Sequence, residues 1–191
     1  EWASVLGVQF YVFHAGSAPC DESTADLEFV RDRNVQAVGK LAEAAKPYGM
    51  KIAIENTADS DSEGRRKFGA TPRELIWLAE QTDPQTVGVC WDTGHAHLQR
   101  LNQGKAIRAL GSYLCATHID DNDTSRDQHL VPYEGTIDWQ SVLSALRDTG
   151  YNGTFNLEVG GGLHRIPIPI RALKVRYALD LTLAMLDSAA T

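Results

Sequence analysis

Nowhere in the 191 residues does an uninterrupted apolar run approach the roughly 18 residues a membrane-spanning helix needs. The opening residues also lack the charged, apolar and small-residue blocks of a secretory signal. Only three cysteines occur, Cys20, Cys90 and Cys115, an odd number without CxxC spacing, which argues against a disulfide framework. Cys90 and Cys115 lie in apolar runs and read as buried free thiols, so a soluble protein of the reducing cytoplasm is expected. Positive charge is scarce as well: 18 Lys and Arg face 25 Asp and Glu, for a net charge of −7. That balance disfavours a broad phosphate-binding surface, so neither nucleic acid nor a membrane is the expected partner. Low-complexity tracts and an inter-domain linker are missing too, and residues 1–191 read as one domain.

What the chain does have is a repeated grammar. KIAIENT ends on Glu55, VGVCWDTGHAH on Asp92 and His95, CATHIDDN on His118, and TFNLEVG on Glu158. Each is a short apolar, β-favouring run, then an acid or imidazole, then turn chemistry. In a parallel α/β protein the carboxyl ends of the strands converge on one face, where ligands bind. Four such residues, one from each of the four strands, make a mixed oxygen and nitrogen ligand set for one divalent ion.

Between these strands the periodicity predicts helices. One runs from Thr24 to about Tyr48, ended by Pro47 and Gly49, and another starts at Thr71 and Pro72 and continues through ELIWLAEQ. A short helix is bracketed by Gly104 and Gly111, Asp138 caps a helix ended near Gly150, and a closing helix follows the prolines of RIPIPIR. With GVQFYVFHAGS, residues 7–17, as a first strand, five strand signals alternate with helices, which predicts a parallel sheet with right-handed crossovers. A complete (β/α)8 TIM barrel has eight strands in typically about 250 residues. The opening EWASVLG reads as the tail of a helix already under way. The expectation is an α/β barrel of this type lacking its first three β/α units, those units being outside this sequence or supplied by another chain, with homo-oligomerisation as one route.

IAIEN, WDTGHAH, HIDDNDTSRDQHLVPYEGTIDW and LEV, in this order, resemble the xylose isomerase-like superfamily of metal-dependent TIM barrels, here strands four to eight. That superfamily holds sugar isomerases and epimerases, inosose dehydratases and type IV apurinic endonucleases. The resemblance implies that Glu55, Asp92, His118 and Glu158 hold one divalent ion (Mn2+, Mg2+, Co2+ or Zn2+), with no organic cofactor. It further implies that Glu55 and Glu158 act as the catalytic pair on opposite sides of a substrate carbon, one removing a proton and the other returning it. His95 would orient a substrate hydroxyl, His14 would line the same mouth, and Arg126, Asp127 and His129 would clamp a polar or phosphorylated end of a sugar or sugar phosphate.

Other readings stand beside this one. His14 after an apolar strand is as readily a structural histidine. Trp91 reads as core, His97 and His164 as residues without a site role, the RRK of 65–67 as a solvated face or a phosphate-binding lid, and Asp120, Asp121 and Asp123 as solvated turn formers. His14, Glu55, Asp92, His95, His118, Asp127, His129 and Glu158 also match the pattern of the type IV endonucleases, which hold three zincs and cleave at abasic DNA. A third reading is an inert or merely metal-binding partial barrel. The acidic balance and the lack of a basic, aromatic-interleaved loop favour the sugar branch.

Overall fold

The computed structural model describes residues 2–16, 24–58 and 67–189. In chain order it has α1 (Trp2–Val5), β1 (Phe10–His14), α2 (Thr24–Ala45), β2 (Lys51–Glu55), α3 (Pro72–Glu80), β3 (Val87–Asp92), α4 (Thr93–Leu98), α5 (Gln103–Leu110), β4 (Leu114–Ile119), α6 (Trp139–Asp148), β5 (Thr154–Leu157) and α7 (Arg171–Ala189). Every strand pairs in parallel with its successor in the chain, giving the order β1-β2-β3-β4-β5. Sequential parallel pairing with helical crossovers is the wall of a TIM barrel, and five of its eight strands form a curled half-barrel here.

The two faces of this wall have different chemistry because side chains alternate along a strand. Ile52, Ile54, Val89, Trp91 and Ile119 pack with Leu75, Leu78, Ile107 and Leu110 of the helices in the main core. Ala53, Cys90 and Ala116 form a second, smaller cluster against Phe10 and Val12. Glu55 and Asp92 follow Ala53 and Cys90 by two residues, so they share that second face at its carboxyl end. β3 is buried at all six positions, as expected of a central strand covered on both sides.

Helix starts follow their local chemistry. Thr71 and Glu74 form a capping box at α3, with Pro72 in the first turn, while Asn102 caps α5 and Asp138 caps α6. Gly49, at φ +65°, closes the 3-10 turn Lys46–Tyr48 that ends α2.

Some boundaries differ from the sequence reading. The first strand is shorter, residues 10–14 rather than 7–17. The closing helix does start after the prolines of RIPIPIR, at Arg171, and the residues before it form separate 3-10 turns, Leu163–Arg165 and Ile168–Ile170, since prolines lack the N–H that a longer helix requires. The sequence reading held no helix at α4, which starts on the residue after β3. Cys90 is buried and free, whereas Cys115 is free but only partly buried, facing the wall beside Val89. Cys20 and the Arg65–Arg66 pair lie outside the described residues. No helix among the described residues is long and apolar enough to cross a membrane.

Candidate metal centre

Glu55, at the last position of β2, is 2% exposed, and three imidazoles surround it. His14 Nε2 lies 2.9 Å from Oε2, His118 Nδ1 lies 3.1 Å from the same oxygen, and His95 Nδ1 lies 3.3 Å from Oε1. Sheet register accounts for this: His14 of β1 sits opposite Glu55, and Asp92 of β3 sits opposite His118 of β4. Glu158, just past β5, is tied in by its N–H donating to Ile119 O, and its Oε2 lies 2.8 Å from His118 Nδ1. Glu55, Asp92, His118 and Glu158 each offer a donor atom within 4.8 Å of the others. The four residues expected to converge are therefore brought together.

The electrostatics of this cluster call for positive charge. Burial works against ionisation of Glu55, but the close imidazoles of His118, His14 and His95 outweigh it and hold the carboxyl far below its usual range. The contact with His118 likewise lowers Glu158. Burial raises the pKa of Asp92. Contacts with Cys90, Glu158 and Glu55 raise that of His118. In His95, burial opposes protonation, yet Asp127, Glu55 and Asp92 lift the pKa to about 11. Without a metal the imidazoles carry the charge that these carboxylates demand.

A divalent ion fits this donor set on one specific observation. Asp92 Oδ2, His118 Nδ1 and Glu158 Oε2 are buried and lack a hydrogen-bond partner of proper geometry. Buried polar atoms are almost always satisfied, so three orphans among four converging residues indicate a ligand they share. Three carboxylates and one imidazole suit a hard or borderline cation. Cys90 Sγ stands close enough to Glu55 and His118 to form an alternative three-residue set, but burial raises its thiol pKa and so opposes the thiolate that metal binding requires.

Residues that sequence reasoning passed over hold the centre in shape. Asn56 clasps β2 to β3: its Nδ2 donates to Asp92 O at 2.9 Å, and its Oδ1 accepts from Asp92 N at 2.6 Å. Its carbonyl accepts from His95 Nδ1 at 2.9 Å, which aims that ring. Asp92 caps α4 by accepting from His95 N at 2.6 Å, leaving its other oxygen for the centre. An amide placed directly after the acid of an apolar strand was the available signal for Asn56.

Asp120 and Asp121 are not solvated loop acids; both are fully buried. Asp120 exchanges backbone and hydroxyl hydrogen bonds with Thr93 and accepts from Gly94 N at 3.0 Å. Burial, with Asp92 and Asp127 adding, pushes its pKa up to about 9. Asp121 accepts from the backbone of Tyr133 and Ile137 and from Trp139 Nε1, at 3.0, 3.2 and 2.9 Å. It thus folds the long loop back onto α6. Asp123, by contrast, is exposed and caps Ser125 as a turn former.

The remaining candidates divide. Asp127 Oδ2 lies 3.1 Å from His129 Nε2 and 3.4 Å from His95 Nε2, so the loop acid reaches the centre's edge. Asp120, Asp127 and His129 offer a further group of donors within 4.8 Å of one another. Arg126 shares a cavity wall with Asp127, His129 and Glu158 but makes no ion pair among the described residues. Trp91 is core, donating to Gln103 Oε1, and His97 pairs with Thr136 Oγ1.

The chain and its fold have known relatives. The chain is 31% identical over 135 residues to D-psicose 3-epimerase of Ruminiclostridium cellulolyticum, 71% of this chain and 43% of that protein. The crystal structure of a D-tagatose 3-epimerase-like protein superposes with a TM-score of 0.76 at 26% identity, covering 99% of this chain and 67% of the other. The structure of IOLI protein with a binding zinc atom shares the fold, with a TM-score of 0.80 at 20% identity over 98% of this chain and 66% of the other. The chain spans about half the length of the curated relatives it matches. A family model described as xylose isomerase-like TIM barrel matches residues 1–176, and the chain belongs to that family.

Proposed function

We propose that the protein is a divalent-metal-dependent sugar isomerase or epimerase. The observation that carries this reading is the convergence of Glu55, Asp92, His118 and Glu158 with three of their donor atoms buried and without a well-directed hydrogen bond. It is supported by the 31% identity to a D-psicose 3-epimerase. Those four residues would hold the ion, which supplies a Lewis acid that polarises a carbonyl and acidifies the adjacent C–H.

The chain's own groups do the proton work. Glu55 is ionised beside three imidazoles, and with the ion in place of those contacts its free oxygen would act as the base. Glu158, 40% exposed, offers the second carboxylate, and each must bind through one oxygen and leave the other free. His95, aimed by the Asn56 carbonyl and flanked by Asp127, orients a substrate hydroxyl. His14 lies beside Glu55 at the open side of the site.

The test is proton exchange in D2O on the Mn2+-loaded protein with a ketose panel, read by NMR. Deuterium entering the carbon next to the carbonyl supports the reading, and Glu158→Gln should slow it by about 10²- to 10⁴-fold. Metal-loaded protein that exchanges no proton in any ketose sinks it. The second donor group of Asp120, Asp127 and His129 favours one rival, a multi-zinc phosphodiester hydrolase acting at abasic DNA. Two or three zincs per chain with cleavage of abasic DNA would establish that rival instead.

A further inference from the structure

Of the four converging donors, Glu158 is held least by the barrel wall. Glu55 and Asp92 end strands with a neighbour on each side and are 2% and 1% exposed. Glu158 instead follows β5, the last strand of the sheet, and is 40% exposed. One bond to the sheet fixes its backbone, from its N–H to Ile119 O at 3.0 Å. A carboxylate that moves a proton needs closer placement than that. We propose that His129, set by Asp127, is a positioning residue that fixes Glu158 and is not a substrate contact. The proposal rests on the sugar reading above and deepens it.

Two hydrogen bonds run in opposite senses between the loop after β4 and the turn after β5. His129 Nδ1 lies 3.1 Å from Glu158 O, and a ring nitrogen facing a carbonyl can only donate. Gly161 N returns the contact, donating to His129 O at 2.9 Å. The backbone that bears Glu158 is therefore tied at two points to one residue. Lys174 Nζ donates to Gly161 O at 3.1 Å and anchors the same turn to α7.

The clasp is built from backbone that would not arise by default. His129 sits at φ +47°, in the left-handed region that residues other than glycine seldom adopt. A Cβ at Gly161 would strike the carbonyls of Gln128 and His129, so glycine is what allows the approach. Strained backbone persists where its surroundings over-determine it, and it concentrates at functional sites. Asp127 sets the ring, with Oδ2 3.1 Å from His129 Nε2 and 3.4 Å from His95 Nε2. One carboxylate thus keys the clasp to the imidazole assigned above to a substrate hydroxyl. Both ring nitrogens of His129 face protein groups, which leaves neither to clamp a sugar.

Asparagine places an amide N–H where histidine has Nδ1 and tolerates the left-handed backbone, whereas glycine keeps the backbone and loses the donor. The test compares His129→Asn and His129→Gly with the wild type by Mn2+ titration calorimetry, urea unfolding, and ketose proton exchange in D2O at saturating Mn2+. Glycine should weaken Mn2+ binding about 10- to 100-fold, the range that outer partners of metal ligands contribute, and asparagine should recover most of it. In the exchange assay glycine should lower kcat and leave KM near the wild-type value, since a residue acting through Glu158 does not touch substrate. A raised KM with unchanged kcat, or equal Mn2+ affinity in all three proteins, overturns the clasp while the sugar reading survives. Loss of a whole ion per chain in both variants makes His129 a ligand and overturns it too. So does a fall in unfolding midpoint that tracks the affinity loss in both variants. If no protein exchanges a ketose proton, the sugar reading falls and the Mn2+ affinities alone decide the clasp. Wild type that binds no Mn2+ overturns both.

Discussion

His118 Nδ1 lies 2.8 Å from Glu158 Oε2, yet both atoms count among the buried polar atoms that lack a properly directed hydrogen bond. Close approach without alignment is what two ligands of one ion show when they point at a common centre. Purified protein should therefore carry a divalent ion, measured by elemental analysis. Glu158→Gln should weaken its affinity by at least about tenfold, the lower end of what even outer-sphere partners contribute. Chelation should lower the thermal midpoint of the wild type more than that of the variant, because the lost linkage term is larger. Protein that takes up no ion under excess Mn2+ or Zn2+ would contradict the four-donor centre.

The buried carboxylate of Asp121 organises the loop between β4 and α6. Asp121→Ala removes the acceptor for Tyr133 N, Ile137 N and Trp139 Nε1 at once. Each buried donor left unsatisfied costs about 1–3 kcal/mol, so a loss near 3 kcal/mol or more is expected from urea unfolding. Asp121→Asn keeps one acceptor oxygen and should fall between the variant and the wild type. A change below about 1 kcal/mol for the alanine would mean that water replaces the carboxylate without penalty.

The sequence made the strand ends legible because the chemistry is local there: a short apolar, β-favouring run, then one acid or imidazole, as in KIAIE and LCATH. That pattern located Glu55, Asp92, His118 and Glu158, and the parallel order of the sheet brought them together. Asp120 and Asp121 were misread because an acid-rich run looks solvated whenever its partners are far along the chain. Trp139 Nε1, which satisfies Asp121, is 18 residues away, and Gly94 N, which meets Asp120, is 26 away. Helix α4 was hidden for a related reason, since the turn chemistry of DTGH is also the start of a helix capped by Asp92.

Gly94 shows how closely these strand ends are packed. A Cβ there would run into the Asp120 carboxylate, which is itself fully buried. Gly94→Ala should destabilise by about 1–3 kcal/mol, the usual cost of overpacking. The clash partner is a single side chain, so the same change in an Asp120→Ala background should cost less. A double-mutant cycle measures that coupling. Strict additivity would show that the backbone around Gly94, rather than Asp120, resists the methyl group.

Cys115 gives a pH-dependent prediction away from the centre. Burial, with Cys90 adding, pushes its thiol from 9.0 to about 12. Thiolate is the reactive form, so at pH 8 iodoacetamide should label native Cys115 far more slowly than the urea-unfolded chain, read by mass spectrometry. The raised folded value fixes the sign of the stability effect. Below about pH 9 the thiol is protonated in both states and its contribution is intact. Between about 9 and 12 the unfolded state loses the proton first, so stability falls as pH rises. Cys115→Ser should remove that part of the alkaline slope. Native labelling as fast as unfolded labelling would show that the thiol beside Val89 is open to solvent.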